Sequence, residues 1–443
     1  MRSVVDQCKR TGVARVLGWC RRRIARPLSA GAERCKTTDE HLGAGARRIL
    51  FLQYADPAAY PPLEHASHLL AQRGWEVLLL GSDIFKVRNL KLESAPRITV
   101  KILPARGGQA GHYLMFLLWS FYWLYKWKPH WVYASDPLVL PALLVLRALA
   151  INRLIYHEHD SPSSDPKPSQ FKRMMLASRR IIGRRADLCV LPQEDRLREF
   201  LLETGRSAPT LCVWNCPEIA EVQANRSRRA KALLVYYHGS INNERLPPEV
   251  VRAASRFKGA VRIQIVGYET PGSKGHVRAL AQLADNQGAP GIIEFLGAFP
   301  RKQLWPMASL ADVGLSLMPK TSNDINLRHM VGASNKPFDC MACGLPLLVS
   351  DLPDWISTFV EPGYARACDP TDVDSIEEQL RWYLEHPDER REMGRRCAEK
   401  ITLAWNYDQL FADVLGVLEG SGRSVDRSSV SLAPGSFVQI SDI

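Results

Sequence analysis

Short apolar runs alternate with helix-spaced segments along this chain, and the whole alternation occurs twice. The first series opens at Arg48–Tyr54 (RILFLQY), then a helical segment at Glu64–Arg73 closed by Gly74, and Trp75–Leu80 (WEVLLL). Ile98–Leu103, Trp131–Ala134, Arg153–His157 and Asp187–Leu191 continue it, with helices between, one near Pro141–Leu149. The second series starts after the polar stretch Ala224–Lys231 (ANRSRRAK). Its strands are Ala232–Tyr237, Val261–Val266, Ile292–Leu296, Val313–Met318 and Pro346–Ser350, and its helices Pro247–Ser255, Val277–Leu283, Gln303–Ser309 and one from Phe338. Strands that alternate with helices need crossover connections, so each series predicts a parallel sheet covered by helices on both faces. The fold class is therefore α/β, with two doubly wound units in sequence. Ligands are expected where loops leave the C-terminal ends of the strands. The length of 443 residues agrees with two domains, since single domains cluster near roughly 150 residues. The 46% hydrophobic and 23% charged content excludes a mainly disordered chain.

The predicted organisation is a basic N-terminal extension (1–45), a first Rossmann-like domain (46–223), a second (224–400), a C-terminal helix (401–420) and a Ser/Gly-rich tail without regular structure (421–443). Residues 1–48 hold twelve basic and four acidic side chains, so most of the net charge of +12 sits there. A charge gathered in one arm argues against a nucleic-acid groove. The arm reads three ways: a basic amphipathic helix on an anionic membrane surface, a disordered arm, or a stretch with no role. The most apolar run, Tyr113–Tyr125 (YLMFLLWSFYWLY), covers about 20 Å as a helix, short of the roughly 30 Å hydrocarbon core. Met1–Ser29 lacks the apolar segment of a secretory signal. The expectation is a cytoplasmic protein, with contact to the cytoplasmic face of a membrane left open. Ten scattered cysteines suit a reduced chain, and Cys340-x-x-Cys343 reads as core packing.

No G-x-G-x-x-G follows a strand; Tyr54-Ala-Asp-Pro-Ala-Ala-Tyr60 leaves the first one. That argues against a nicotinamide or flavin site, and no cofactor is expected. The second unit carries Tyr237-His238-Gly239-Ser240 with Arg245 beyond, then Ile265-Val266-Gly267, Phe295-Leu296-Gly297, Leu317-Met318-Pro319 and Asn335-Lys336-Pro337-Phe338-Asp339-Cys340-Met341-Ala342-Cys343-Gly344-Leu345-Pro346. In order and spacing these elements resemble the C-terminal domain of family-four (group 1-like) glycosyltransferases of the GT-B fold. Asp369-Pro370 and Trp405-Asn406-Tyr407 resemble the family's ending, and in the first domain Asp136-Pro137 and His159-Asp160 are the main matches. The resemblance covers about residues 46–420.

It implies two Rossmann-like domains facing a cleft, and a hexosyltransferase-like enzyme that is retaining and metal-independent. Its partners would be a nucleotide-diphosphate sugar and a hydroxyl acceptor. A lipid-linked acceptor in cell-envelope or exopolysaccharide synthesis would suit the basic arm and the aromatic run. Chemistry agrees at particular residues. Gly239 and Ser240 let the backbone approach a diphosphate, Arg245 would bind its oxygens and stabilise the leaving group, and Lys336 is a second candidate cation. Asp339 would accept the ribose hydroxyls. On the first domain, Asp136 and His159 are the candidate acceptor-side groups, Asp136 as the base.

Some positions depart from the family pattern. The first of its two glutamates would fall at Val331, though members with a motif like S-P-N-K-x-F-E also lack it, and Ala333-Ser334-Asn335-Lys336 resembles that branch. Relatives often have His where Ser135 stands, and Glu249 occupies the place of a second cation. Asp372-Val373-Asp374 reads as a helix start rather than a metal motif. Two rivals stay open: a GT-B sugar-nucleotide epimerase, and a pseudoenzyme that binds nucleotide sugar without transfer.

Overall fold

Six residues, Arg48–Gln53 (β1), send alternate side chains into two different cores: Leu50 and Leu52 to one, Ile49 and Phe51 to the other. A strand apolar on both faces must lie mid-sheet between two helix layers, and β1 does. The structure is a computed structural model. It describes residues 47–443 apart from 85–91, 93, 107, 152, 164, 224–231, 421–428, 433–435 and 440–443. The expectations for residues 1–45 lie outside the described residues.

The first sheet contains β1, β2 (Glu76–Ser82), β3 (Ile98–Leu103), β4 (Trp131–Ser135), β5 (Leu154–His157), β6 (Leu188–Leu191) and β7 (Thr210–Cys212). The second contains β8 (Leu233–Ile241), β9 (Val261–Glu269), β10 (Ile293–Gly297), β11 (Val313–Ser316), β12 (Leu347–Ser350) and β13 (Ala365–Cys368). Two more strands, β14 (Ser429–Leu432) and β15 (Ser436–Gln439), extend the first sheet, whose order is β15-β14-β7-β6-β5-β4-β1-β2-β3. The second runs β10-β9-β8-β11-β12-β13, the order of a dinucleotide-type doubly wound sheet. All pairings named here are parallel except β14 with β15. Strand order reverses between β1 and β4 in one sheet and between β8 and β11 in the other. The crevices at these two reversals belong to one compact unit, residues 47–443.

Three details depart from the sequence expectations. The strands β7 and β13 had no sequence signal, being short and, in β13, interrupted by Arg366. The tail read as unstructured holds β14 and β15; β14 pairs with β7, and Val430 faces Val438. An open edge of unpaired N–H and C=O groups is a template for such addition. The helix placed at 401–420 is instead the end of Pro387–Leu403 followed by Tyr407–Leu410 and Ala412–Glu419. Asn406 makes the break: its Nδ2 donates to the carbonyl of Ile401 at 2.9 Å while its Oδ1 accepts from Gln409 N at 3.0 Å. Tyr407, Phe411 and Val414 then pack into the first domain's core, so the chain returns to the domain it began in.

The aromatic run is a helix, Gln109–Trp127, buried along His112, Phe116, Ser120 and Leu124 and exposed at Leu114, Phe121 and Tyr125. Among the described residues no helix is long and apolar enough to cross a membrane.

Candidate active site

At the end of β8 the backbone of Gly239 has φ +112°, and a Cβ there would stand 2.8 Å from Lys336 Cε. On the neighbouring strand a Cβ at Gly267 would stand 1.9 Å from the carbonyl oxygen of Gly239. Only glycine fits at either place, and the two together expose backbone beside a lysine. Ser240 follows, its hydroxyl accepting from Arg245 Nη1. Asn242 turns the chain so that Arg245 points back, its Oδ1 accepting from Arg245 N at 3.0 Å. Arg245 Nε is buried without a hydrogen-bond partner. Lys336, in the first turn of Asn335–Ala342, donates to the Tyr237 hydroxyl at 3.2 Å and lies over that ring. Burial, and then the charge of Arg245, pushes the Lys336 ammonium well below its usual pKa. Four residues expected at the donor site, Gly239, Ser240, Arg245 and Lys336, thus surround one point. Two basic side chains meet there, and among the described residues no carboxylate contacts either one. That is an environment completed by an anion.

The fifth expected residue, Asp339, lines the same cleft but is already engaged. Its oxygens accept from Arg301 Nη2 at 2.7 Å and Nη1 at 3.0 Å, and Oδ2 lies 3.1 Å from His238 Nε2. Burial works to raise its pKa, but Arg301 and His238 hold the carboxyl below the usual range. Arg301 also donates to both oxygens of Glu221, from Nε at 2.8 Å and Nη2 at 3.1 Å, and His65 Nε2 lies 3.0 Å from Glu221 Oε2. Sequence reasoning missed Arg301, Glu221 and His65. The one available signal was the position of Arg301, first in a helix after the end of β10.

The facing wall comes from the first domain. Asp136 follows β4 with φ +77°, a conformation uncommon outside glycine. Its Oδ1 caps Leu138 N at 3.2 Å, and its Oδ2 accepts from Tyr60 OH at 3.1 Å and Gln53 Nε2 at 3.3 Å. Burial raises its pKa to about 7, with Asp160 and Glu158 adding to the effect and the Leu138 and Tyr60 bonds opposing it. Asp136 is not among the residues lining the cleft, whereas Tyr60, His159 and Asp160 are. The His159 imidazole is buried, both ring nitrogens are unpartnered, and burial lowers its pKa to about 3. Glu158 is committed to structure, gripped by Arg179 at 2.6 and 2.7 Å.

Between the walls lies a cleft of about 1110 Å³, large enough for a nucleotide-sized ligand. Bonds between the domains cross beside it. Arg196 donates to the second domain's carbonyls of Asn326 at 2.7 Å and His329 at 2.8 Å, and within its own domain to that of His159 at 3.0 Å. Asn326 and the Ser161 backbone exchange two hydrogen bonds, at 2.9 and 2.8 Å. Elsewhere, Asp372 accepts from Asp374 N at 2.9 Å as a helix cap, and Cys340 and Cys343 are buried in the second domain's core.

Comparison with known proteins finds the same fold. Residues 248–416 match the family described as "Glycosyl transferase-like". Among solved structures, sucrose-phosphate synthase from Thermosynechococcus elongatus is similar with TM-score 0.62 at 14% identity, covering 85% of this chain and 99% of that one. HepE from Anabaena, in complex with UDP, has TM-score 0.63 at 15% identity, covering 84% and 100%. WaaG, a glycosyltransferase involved in lipopolysaccharide biosynthesis, has TM-score 0.60 at 13% identity, covering 84% and 100%. No curated protein matches the chain.

Proposed function

We propose that this chain, a glycosyltransferase of the group 1-like kind on the GT-B fold, moves a sugar from a nucleotide-diphosphate donor to a hydroxyl acceptor across the cleft. One observation carries the reading of the donor side: Arg245 and the buried Lys336 converge beside the Gly239–Gly267 backbone, and among the described residues no carboxylate is in contact with them. A diphosphate supplies the missing charge. As the glycosidic bond breaks, negative charge grows on the leaving phosphate, so cations held in place there lower the barrier. A carboxylate has about four lone-pair sites; Asp339 spends three on Arg301 and His238, and one remains for a ribose hydroxyl. Transfer is retaining and metal-independent in this reading, which rests on the family resemblance.

The acceptor meets the donor sugar from the first domain, near His159 and Tyr60. The exposed stripe of Leu114, Phe121 and Tyr125, with the exposed Lys126 and Lys128 at its end, supports contact with an anionic membrane and a lipid-linked acceptor. Replacing Phe121 and Tyr125 by Ser should then lower sedimentation with anionic liposomes; equal sedimentation removes the membrane from the account.

A thermal-shift panel of nucleotide sugars tests the central reading. A ligand at a hundred times its dissociation constant adds about 2.7 kcal/mol to stability, so true donors separate from the rest. A panel in which no nucleoside diphosphate or nucleotide sugar raises the melting temperature sinks it.

A further inference from the structure

We propose that Arg196 is a positioning residue for the transfer step: its buried guanidinium holds the acceptor wall and the segment 324–334, which leads into the helix of Lys336, in one fixed register. The inference rests on the function proposed above and deepens it. Arg196 comes from the first domain, on the helix Glu194–Thr204, where Gln193 Oε1 accepts from its backbone N at 2.9 Å. The residue is 1% exposed. Nη1 is turned to the His159 carbonyl, and Nη2 and Nε to the carbonyls of Asn326 and His329, with Met330 Sδ 3.7 Å from Nη2. His159 and Met330 both line the cleft. One planar group therefore lies directly behind residues of both walls.

A tie between domains does not need a charge. Asn326 and Ser161 make one beside Arg196 with neutral groups, and a buried cation is costly unless it is paired. Asp160 Oδ1 stands 3.9 Å from Nη1, beyond hydrogen-bond distance, and its side chain is exposed. Burial presses the Arg196 pKa below its usual value, with the charges of Asp160 and Asp324 opposing. What the guanidinium supplies in return is shape. Its rigid fork reaches three carbonyls on two separate segments and fixes the angle between them, which an ammonium on a flexible stem does not.

The segment that Arg196 grips has no slack. A Cβ at Gly332, whose φ is +82°, would stand 2.6 Å from Trp214 Cδ1 and 2.8 Å from the Pro192 carbonyl oxygen. Asn215 N donates to the Gly332 carbonyl at 2.7 Å. The chain then runs directly into Ser334, Asn335 and Lys336, which line the donor side of the cleft. A shift of this segment is thus a shift of the donor site against His159. Transfer needs the reacting atoms about 3–3.5 Å apart, and a misplacement of about 1 Å costs as much as 10²-fold. Attack by water on the donor needs no acceptor wall, so the register matters to transfer and not to hydrolysis.

Arg196→Met removes the fork. With UDP-glucose as donor and octyl glucoside as acceptor, the variant should lose about 10²-fold in transfer. Its UDP-glucose affinity by calorimetry, and its release of UDP without acceptor, should stay close to those of the unmodified chain. Arg196→Lys keeps the charge without the fork, so it should recover only part of the rate, and it carries the comparison if Arg196→Met does not fold. Transfer and hydrolysis that fall together, or full transfer in either variant, overturn the proposal. Absent UDP-glucose binding by the unmodified chain counts against the donor cleft instead, and hydrogen exchange without substrate then decides on Arg196. Replacing it should speed exchange at 159–161 and at 326–331 together, because one side chain holds both. Faster exchange in only one of these segments, or in neither, overturns the proposal.

Discussion

Behind or on each wall of the cleft lies a buried aspartate, and the two are prepared for opposite work. Asp339 on the donor side accepts two bonds from a guanidinium and lies against His238. Asp136 on the acceptor side accepts only from neutral groups: a backbone N–H, an amide and a hydroxyl. Burial penalises both anions. On the donor side Arg301 overcomes it and the carboxyl stays below its usual range; on the acceptor side nothing does, and it rises to about 7. Burial alone therefore does not decide the protonation state; the neighbouring charge does. The donor wall is a fixed arrangement of charge and the acceptor wall carries a group that titrates near neutrality.

The largest effect should come from removing the charge that makes the walls differ. Arg301→Met strands Asp339 and Glu221 as buried anions, and breaking a buried pair this way costs about 3–5 kcal/mol. Both carboxyls lie below their usual range in the native chain. Their stabilisation is thus complete above the unfolded carboxylate range near 4 and lost as pH falls through the native values. Denaturant melts should therefore show the deficit of Arg301→Met at pH 7 and its shrinkage below about pH 4. A deficit that does not change with pH contradicts the network.

Next in size is the donor-side cation. Arg245→Ala should lower kcat by 10²–10³-fold, about 2.7–4 kcal/mol, the usual cost of one electrostatic contact to a leaving group. Nucleotide affinity should fall by much less, because the charge grows only as the bond breaks. Equal losses in calorimetric affinity and kcat would make Arg245 a ground-state contact.

On the acceptor wall the sign reverses. A carboxyl whose native pKa is raised contributes stability below its unfolded value near 4 and loses it as pH climbs through about 7. Asp136→Asn keeps the shape without the charge, so it should melt later than the unmodified chain at pH 8 by about 2–3 kcal/mol. At pH 4 the gain should vanish. Destabilisation at pH 8 would mean that Asp136 is balanced by a cation after all.

How much of this was legible in the sequence follows from where the residues lie. Central strands such as β1 and β8 announce themselves because both faces are apolar, whereas β7 and β13 are short strands whose pairing is decided elsewhere. Gly239, Ser240 and Arg245 share one strand-to-helix connection, and Lys336 and Asp339 share one helix turn, so a contiguous pattern exposes them. Arg301, Glu221 and His65 come from three separate segments and have meaning only as neighbours. Asp136 was legible as a candidate, but its distance from the cleft and its bond from Tyr60 are facts of packing. Nothing in the sequence of the loop 324–334 signals that the other domain holds it.

That hold gives the smallest expected effect and the finest test of the contrast between the walls. Asn326 exchanges two hydrogen bonds with Ser161, immediately after the His159-Asp160 turn, so the donor loop is registered against the acceptor wall. Net hydrogen bonds are worth about 0.5–1.5 kcal/mol each, and Arg196 keeps its own bonds to the same loop. Asn326→Ala should therefore loosen the domains by about 1–2 kcal/mol without opening them fully. Since neither Arg245 nor Asp136 loses a partner, kcat should change little. The acceptor KM should rise several-fold, because the acceptor binds where the two walls must be in register. Small-angle scattering of the unliganded variant should show a modestly larger radius of gyration. An unchanged KM together with unchanged scattering would mean that the two walls keep their register without this pair, held by Arg196 and by Asn215, whose Nδ2 donates to the Ala333 carbonyl at 2.7 Å.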